Sequence, residues 1–424
     1  MPSAAIPVPA SPCRARRRRH DIDALRVIAF AILIGYHASG VYEVGSDYHV
    51  VSSYQIEWLD YARIVINRWR MPLLFAISGI ALGLALPGPD DDHAPARFAA
   101  LRTWRLLLPL VFGMLAIVPV QAYCEGVSRG MVEPGFWAFM QRYWQLQPWP
   151  AGSFAGAEHG VTWNHLWYLA YLWVYTLVLL ALAPLLQSGA VRRLQAWLAT
   201  HLNAATLLLP AVLFFAYLML LQPRFHETHA LVGDWYLHAE YFTVFVLGYL
   251  VANDEAFWRT VLRLRWRTLA IAVVAICVEL SLKAAGQYLP AEAIPAMAAG
   301  IDWGMIERGA RALYLWTALL AIFGWGRALL DRPFRWLPYA TEAVYPWYIL
   351  HQSLIVLLAY WLIPLRLGAW WEPALVVLGT VAGCLLLHEL LIRRVALLRP
   401  LFGLRFKVPM TYPVLVRDAR LPAE

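Results

Sequence analysis

The sequence predicts an all-α polytopic membrane protein with about ten transmembrane helices and both termini in the cytoplasm. Three observations predict it. Of 424 residues, 61% are hydrophobic and only 15% charged, with a mean hydropathy of +0.55, well away from the soluble average. The apolar residues come in blocks of membrane-spanning length rather than in one-sided amphipathic stripes. Counting span margins with the adjoining loops, 25 of the 35 Lys and Arg fall on the segments that a cytoplasmic N-terminus puts inside, and 10 fall outside. The net charge of +8 is what arginine-rich cytoplasmic loops sum to, so it does not call for nucleic acid.

Taken in order, a basic tail, residues 1–20 with its "RARRRR" run, precedes a first span at 27–44. This span is not a signal peptide: it follows a long basic region, holds His37, and lacks a small-residue cleavage site after it. Further spans are expected near 69–87, 104–121, 163–184, 206–221, 236–252, 268–284, 311–328, 343–363 and 374–392. Prolines and charges at several of them let the ends move by several residues. The longest outside loop, 122–162, contains "YWQLQPWPAGSF" from Tyr143. It reads either as an aromatic belt at the interface or as part of an acceptor surface, since sugars stack on aromatic faces. No internal repeat stands out, so residues 21–394 form one membrane domain and 395–424 a cytoplasmic tail. Residues 1–20 and the end after Lys407 read as mobile or interfacial tails. Cys13, Cys124, Cys277 and Cys384 match no metal or disulfide spacing and read as small apolar fillers; no metal site or tightly bound cofactor is expected.

Chemistry concentrates in a few ionisable residues within the spans. Arg26 and His37 are eleven residues apart, about 1,100° of helical turn, so they share a face and lie roughly 16 Å apart along the axis. That puts Arg26 at the cytoplasmic rim and His37 about half a bilayer deep, where an ionisable group belongs inside the bundle or against a wet cavity. A neutral histidine held by one interhelical hydrogen bond would explain His37 alone. Arg102 and Arg105 stand one turn apart at the start of the third span. Anchoring at a positive-inside boundary explains them; so does a phosphate clamp, which guanidinium groups suit.

These features resemble the acyltransferase-3 family of integral membrane O-acyltransferases. Its recurring marks are an arginine, ten residues and a histidine in the first helix, here Arg26 and His37, and an Arg-x-x-Arg pair opening the third, here Arg102 and Arg105. "MPLLFAISG" from Met71 is similar to the family's second-helix segment. "YPWYILHQ" from Tyr345, which contains Tyr348 and His351, is similar to its ninth-helix signature, especially in the glucan-modifying branch that includes periplasmic glucan succinyltransferases. The likeness runs from about Asp21 to Arg394, without the fused extracellular domain of some relatives. It implies a bacterial inner-membrane enzyme moving an acyl group, succinyl or acetyl, from cytoplasmic acyl-CoA to a hydroxyl of an extracytoplasmic carbohydrate.

The residue chemistry agrees with that implication. CoA carries phosphates at one end and a thioester at the end of an extended arm, about the length separating Arg26 from His37. His37 would then act as general base, by direct transfer or through an acyl-histidine. Asp23, like Asp21, either pairs with neighbouring arginines or holds Arg26 in place. His351 is either a polar core group or an orienting residue for the acceptor or the carbonyl. His165 opens the fourth span at its outer edge, in an interfacial role or touching the acceptor. Glu240 and Glu279 are costly within spans unless paired; Glu240 lies near His238 and Tyr241 and is a supporting residue with no catalytic role assigned. His388 and Glu389 could form a local pair. A transporter or lipid-handling protein, and a noncatalytic scaffold, also fit polar groups within spans; the ordered arginines and histidine favour the enzyme.

Overall fold

The computed structural model describes residues 18–86, 94–289 and 300–406. The expected mobile tails lie largely outside that range. Helix α1 spans His20–Ser39. Its first turn holds Asp21 and Asp23, whose charges suit the positive end of a helix dipole, and Asp21 also pairs with Arg19 at 2.7 Å. α1 is a central element, packed on α2 (Trp58–Ala85), α11 (Trp303–Leu329), α12 (Leu337–Leu362) and α13 (Trp371–Leu387).

Small residues fix the closest crossing. Along α2, Gly79 and Gly83 face Gly248 and Ala252 at the end of α9 (Trp235–Val251). A Cβ on Gly79 would stand 1.9 Å from the Phe245 carbonyl oxygen, and one on Gly248 would stand 2.3 Å from that of Ala76. Backbones so close replace side-chain packing, as small-xxx-small pairs do in membranes.

Prolines shape the third apolar stretch. α3 (Ala94–Phe112) passes into a wide π-type turn at Gly113–Ile117 and resumes as α4 (Pro119–Ser128). Proline has no N–H, so Pro109 and Pro119 leave the carbonyls four residues earlier free. Other elements fill them: Tyr345 Oη donates to the Arg105 carbonyl at 3.1 Å, and Trp144 Nε1 to that of Leu115 at 3.0 Å. Because its orphaned acceptors are met, the helix outlasts the expected end at 121. The 122–162 stretch therefore starts as helix. It adds α5 (Phe136–Tyr143) and folds over its own small core, with Phe139, Tyr143, Trp149 and Phe154 buried against one another. Only some of its rings, such as Trp137 and Trp144, face outward.

The chain continues through α6 (Trp167–Leu186), α7 (Gly189–Thr200), α8 (Ala204–Leu220), α9, α10 (Glu255–Tyr288), α11, α12, α13 and the short α14 (Leu398–Leu401). α7 was not expected; Ser188 caps it by accepting from Val191 N. Each of the ten expected spans overlaps helix, but α1 begins seven residues before the first of them and ends five residues short of its expected end at 44. Among the described residues, eight stretches are long and apolar enough to cross a membrane, while α8 and α9, at the fifth and sixth spans, are 17 residues each. Leucines and valines such as Leu209, Val212, Val274 and Leu378 are exposed on α8, α10 and α13, the outward apolar dressing of a chain surrounded by lipid. The protein is an all-α polytopic membrane protein.

Candidate active site

α1 and α12 run side by side; of the two histidines singled out in the sequence, His37 stands in the last turn of α1 and His351 near the middle of α12. The rings of His37 and His351 lie 5.3 Å apart, centroid to centroid. His351 is buried, and its Nδ1 sits 2.7 Å from the Tyr348 carbonyl oxygen and 3.2 Å from that of Trp347. Carbonyls only accept, so Nδ1 carries the proton and Nε2 keeps a lone pair. That Nε2 is enclosed and has no hydrogen-bond partner among the described residues. The His37 ring makes no hydrogen bond to a described residue either; its neighbours are Tyr36 at 5.6 Å and His351.

His165 is the third member of the cluster, 5.1 Å from His351 between ring centres. It is buried rather than interfacial. Its Nε2 donates toward the Tyr348 and Ile349 carbonyls at 3.1 and 3.2 Å, and Gln121 donates to its Nδ1 at 3.3 Å. Tyr348 Oη returns a hydrogen bond to the His165 carbonyl. Both nitrogens of His165 are thus occupied, and its ring ties the fourth span to α12. Beyond it a buried amide chain leads away from α1's N-terminal half. Gln121 donates to Ser353 at 2.7 Å and accepts from Gln352 at 3.2 Å. Gln352 also donates to His49 Nε2 at 3.0 Å, and His49 Nδ1 pairs with Glu125.

A groove of about 150 Å³ runs between α1 and α12, lined by Val27, Phe30, Ile34, Tyr339, Trp347 and His351 among others. Tyr339 and His351 are twelve helical residues apart, so the groove extends over about 18 Å. On α1 its lining starts at Val27, next in sequence to Arg26, and on α12 it ends at His351. Arg26 itself pairs with Asp23 at 2.6 Å, and Asp23 also takes Arg18 at 3.0 Å. Arg102 lies within electrostatic reach of Arg26, Arg105 and Tyr168; its Nε is buried without a hydrogen-bond partner among the described residues, while Arg105 is exposed.

Other expected residues lie elsewhere. Glu240 is not beside His37. It accepts from Tyr236 at 2.8 Å in a separate small polar cavity with Arg68, Glu227 and Arg311. His238 instead bonds Tyr175 at 2.9 Å. Glu279 is paired with Arg68 at 2.6 Å. At the chain's end Glu389 pairs with Arg393 at 3.1 Å, whereas both ring nitrogens of His388 are buried and unpartnered among the described residues. The expected His388–Glu389 pair does not form, because the guanidinium one turn away offers the carboxylate a charged donor.

Arg70 escaped the sequence reading. It is 7% exposed, its guanidinium lies 3.6 Å from the Tyr36 ring centre, and Arg63 covers the same tyrosine at 4.2 Å. Asn67 accepts from its Nη2 at 3.0 Å, but Nε and Nη1 have no hydrogen-bond partner among the described residues. Its position directly before "MPLLFAISG" was the available signal.

No curated protein and no solved structure matches the chain. The acyltransferase-3 family model, described as an acyltransferase domain, matches residues 19–389, a stretch that takes in α1 through α13 and both histidines. With most of its length covered by that match, the chain belongs to the acyltransferase-3 family.

Proposed function

We propose that this membrane acyltransferase moves an acyl group, succinyl or acetyl, from cytoplasmic acyl-CoA to a hydroxyl of an extracytoplasmic carbohydrate of the bacterial envelope, periplasmic glucan being the acceptor the sequence favours. The observation that carries the reading is the groove between α1 and α12, which begins beside Arg26 and ends at His351, across from His37. Its length suits an extended pantetheine arm. Arg26, Arg102 and Arg105 hold the donor's phosphates where the groove starts, and Asp23 steadies Arg26.

At the inner end the acceptor hydroxyl oxygen attacks the thioester carbon, and His37 takes the hydroxyl proton. His351 presents its bare Nε2 one ring away, where it receives the N–H of the imidazolium and lowers the cost of that charge in a buried site. Breaking the C–S bond leaves a thiolate, which recovers the proton from His37. The products are an ester and free CoA, with no cysteine or serine nucleophile required. His165 and Tyr348 set the position of α12, and Glu240 supports the outer polar cavity.

The orientation with both termini inside makes the Arg26 end cytoplasmic, in keeping with the basic-residue bias. The test is an assay of the purified full chain for free CoA release together with an acylated hydroxyl product, paired with mass spectrometry of envelope glycans from cells with and without the protein. Substrate movement without acyl-CoA consumption would instead identify a transporter.

A further inference from the structure

The groove between α1 and α12 is apolar along nearly all of its length, yet two of its lining residues each carry an enclosed polar atom with no partner among the described residues: His351 Nε2 and Trp347 Nε1. They differ in kind. His351 Nε2 bears a lone pair because its other nitrogen donates to a carbonyl; an indole Nε1 can only donate. Trp347 and His351 are four residues apart on one helix and so lie on the same face, one turn from each other. A buried donor left open costs free energy comparable to a lost hydrogen bond. Two other buried indole donors are paired, Trp316 Nε1 with the Leu207 carbonyl at 2.7 Å and Trp258 Nε1 with that of Val251 at 2.8 Å, whereas Trp149 Nε1 and Trp325 Nε1, like Trp347 Nε1, have no partner among the described residues; of these three tryptophans, Trp347 is the one that lines the groove. Trp347 is also restrained by its surroundings, since its ring packs against two of the hydrophobic clusters.

An unpartnered donor on a groove-lining residue, one turn from His351 and against otherwise apolar walls, suits a ligand that brings an acceptor to that level. We propose that the Trp347 indole N–H donates to the carbonyl oxygen of the acyl thioester bound in the groove and holds that oxygen as it gains charge. The inference rests on the acyl-transfer reading above. In the step, the acceptor oxygen bonds to the thioester carbon and the carbonyl π pair moves onto oxygen, where the indole N–H faces it. Return of that pair re-forms C=O and expels the thiolate, which takes its proton from His37. A donor placed in a water-excluded site before charge develops needs no reorganisation during the step, the reason such groups weigh heavily in acyl transfer.

The experiment uses the full chain in detergent and two unreactive CoA derivatives matched in length: a ketone analogue that keeps the carbonyl, and a thioether that lacks it. Wild type is expected to bind the ketone about tenfold more tightly, the scale of one hydrogen bond formed in a buried site. Trp347→Phe keeps an aromatic ring and removes the donor. It should bind both analogues equally and lose about 10²–10³-fold in kcat, with KM for acyl-CoA within threefold of wild type. Equal binding of the two analogues by wild type, or turnover within twofold in Trp347→Phe, would overturn the assignment. If Trp347→Phe does not fold, the wild-type comparison decides alone. Failure of wild type to bind either analogue would sink the donor-site reading itself, an outcome distinct from equal binding of both.

Discussion

His351 Nδ1 lies 2.7 Å from the carbonyl oxygen of Tyr348, one turn earlier on the same helix, and that contact decides which nitrogen can act as a base. With the δ proton committed to the backbone, the ε nitrogen is left as the acceptor. Asparagine can reproduce the δ donor but has nothing at the ε position, while glutamine can place an oxygen near ε and gives up the δ contact. His351→Asn should therefore fold with near-native thermal stability in detergent and lose about 10²-fold or more in CoA release. A normal rate in His351→Asn would show that Nε2 does nothing in the reaction.

Replacing His37 tests the base directly. His37→Gln keeps polarity and much of the volume while removing the titratable nitrogen, and its ring makes no hydrogen bond to a described residue that the change would break. The expected result is a loss of about 10²–10⁴ in turnover, with saturable acyl-CoA binding retained. Turnover near that of wild type would move the base elsewhere, His351 first.

How much of this was readable from the chain depends on the distance over which each signal acts. Arg26 and His37 sit on one helix, so 3.6-residue periodicity alone put them on one face. The ten apolar segments were legible for the same reason: each is local. The meeting of His37 with His351 joins residues far apart in the chain, and no periodicity reports it. Glu240 shows the opposite error. Its neighbours in sequence, His238 and Tyr241, suggested one cluster, but His238 turns to Tyr175 while Glu240 turns to Tyr236. The third helical stretch outruns its expected end at 121, reaching Ser128 with Pro109 and Pro119 inside it. What rescues them, Tyr345 and Trp144, comes from distant segments. Arg70 was hidden by arithmetic, counted as one more basic residue at an outside margin. The small residues at 79, 83, 248 and 252 carried a readable signal that went unused.

That signal supports a stability prediction. A methyl group on Gly79 would meet the Phe245 carbonyl at 1.9 Å, and the obstacle is backbone, which cannot rotate away. Gly79→Ala should push α2 and α9 apart and cost about 1–3 kcal/mol, the range for overpacking a tight contact. Gly35→Ala, on α1 with nothing within 4 Å of an added Cβ, is the control and should leave the melting temperature unchanged. Equal melting temperatures for the two variants would mean that the crossing is looser than the structure has it.

Arg102 and Arg105 separate by environment. Arg102 has a buried, unpartnered Nε and feels Arg26, whereas Arg105 is exposed. Arg102→Ala should weaken acyl-CoA binding about tenfold or more, and Arg105→Ala by less. Lysine at 102 should restore part of the affinity, since it returns the charge without the planar fork. Calorimetric titration with acyl-CoA checks the order. The reverse ranking, or no change in both, would reject the clamp.

Arg70 sets stability against function. Two guanidinium groups cover one tyrosine, at 3.6 and 4.2 Å. Arg63 is compensated by Glu43 at 2.8 Å, but among the described residues the buried Arg70 has only the Asn67 side-chain oxygen as a hydrogen-bond acceptor. An enclosed cation without a carboxylate is expensive, and an apolar residue of similar volume often stabilises such a site. Arg70→Met should therefore melt at or above the wild-type temperature. Its charge reaches both His37 and His351 and, being positive, works against an imidazolium there, so any rate it adds comes through the negative charge that develops on the attacked thioester oxygen. The same variant should release CoA more slowly, by about tenfold or more, if a shift of roughly 1.4 kcal/mol in the barrier follows from losing the guanidinium charge. Melting curves and CoA release measured on one preparation decide the matter. A less stable but fully active Arg70→Met would mean that the arginine serves packing alone, with Tyr36 as its partner.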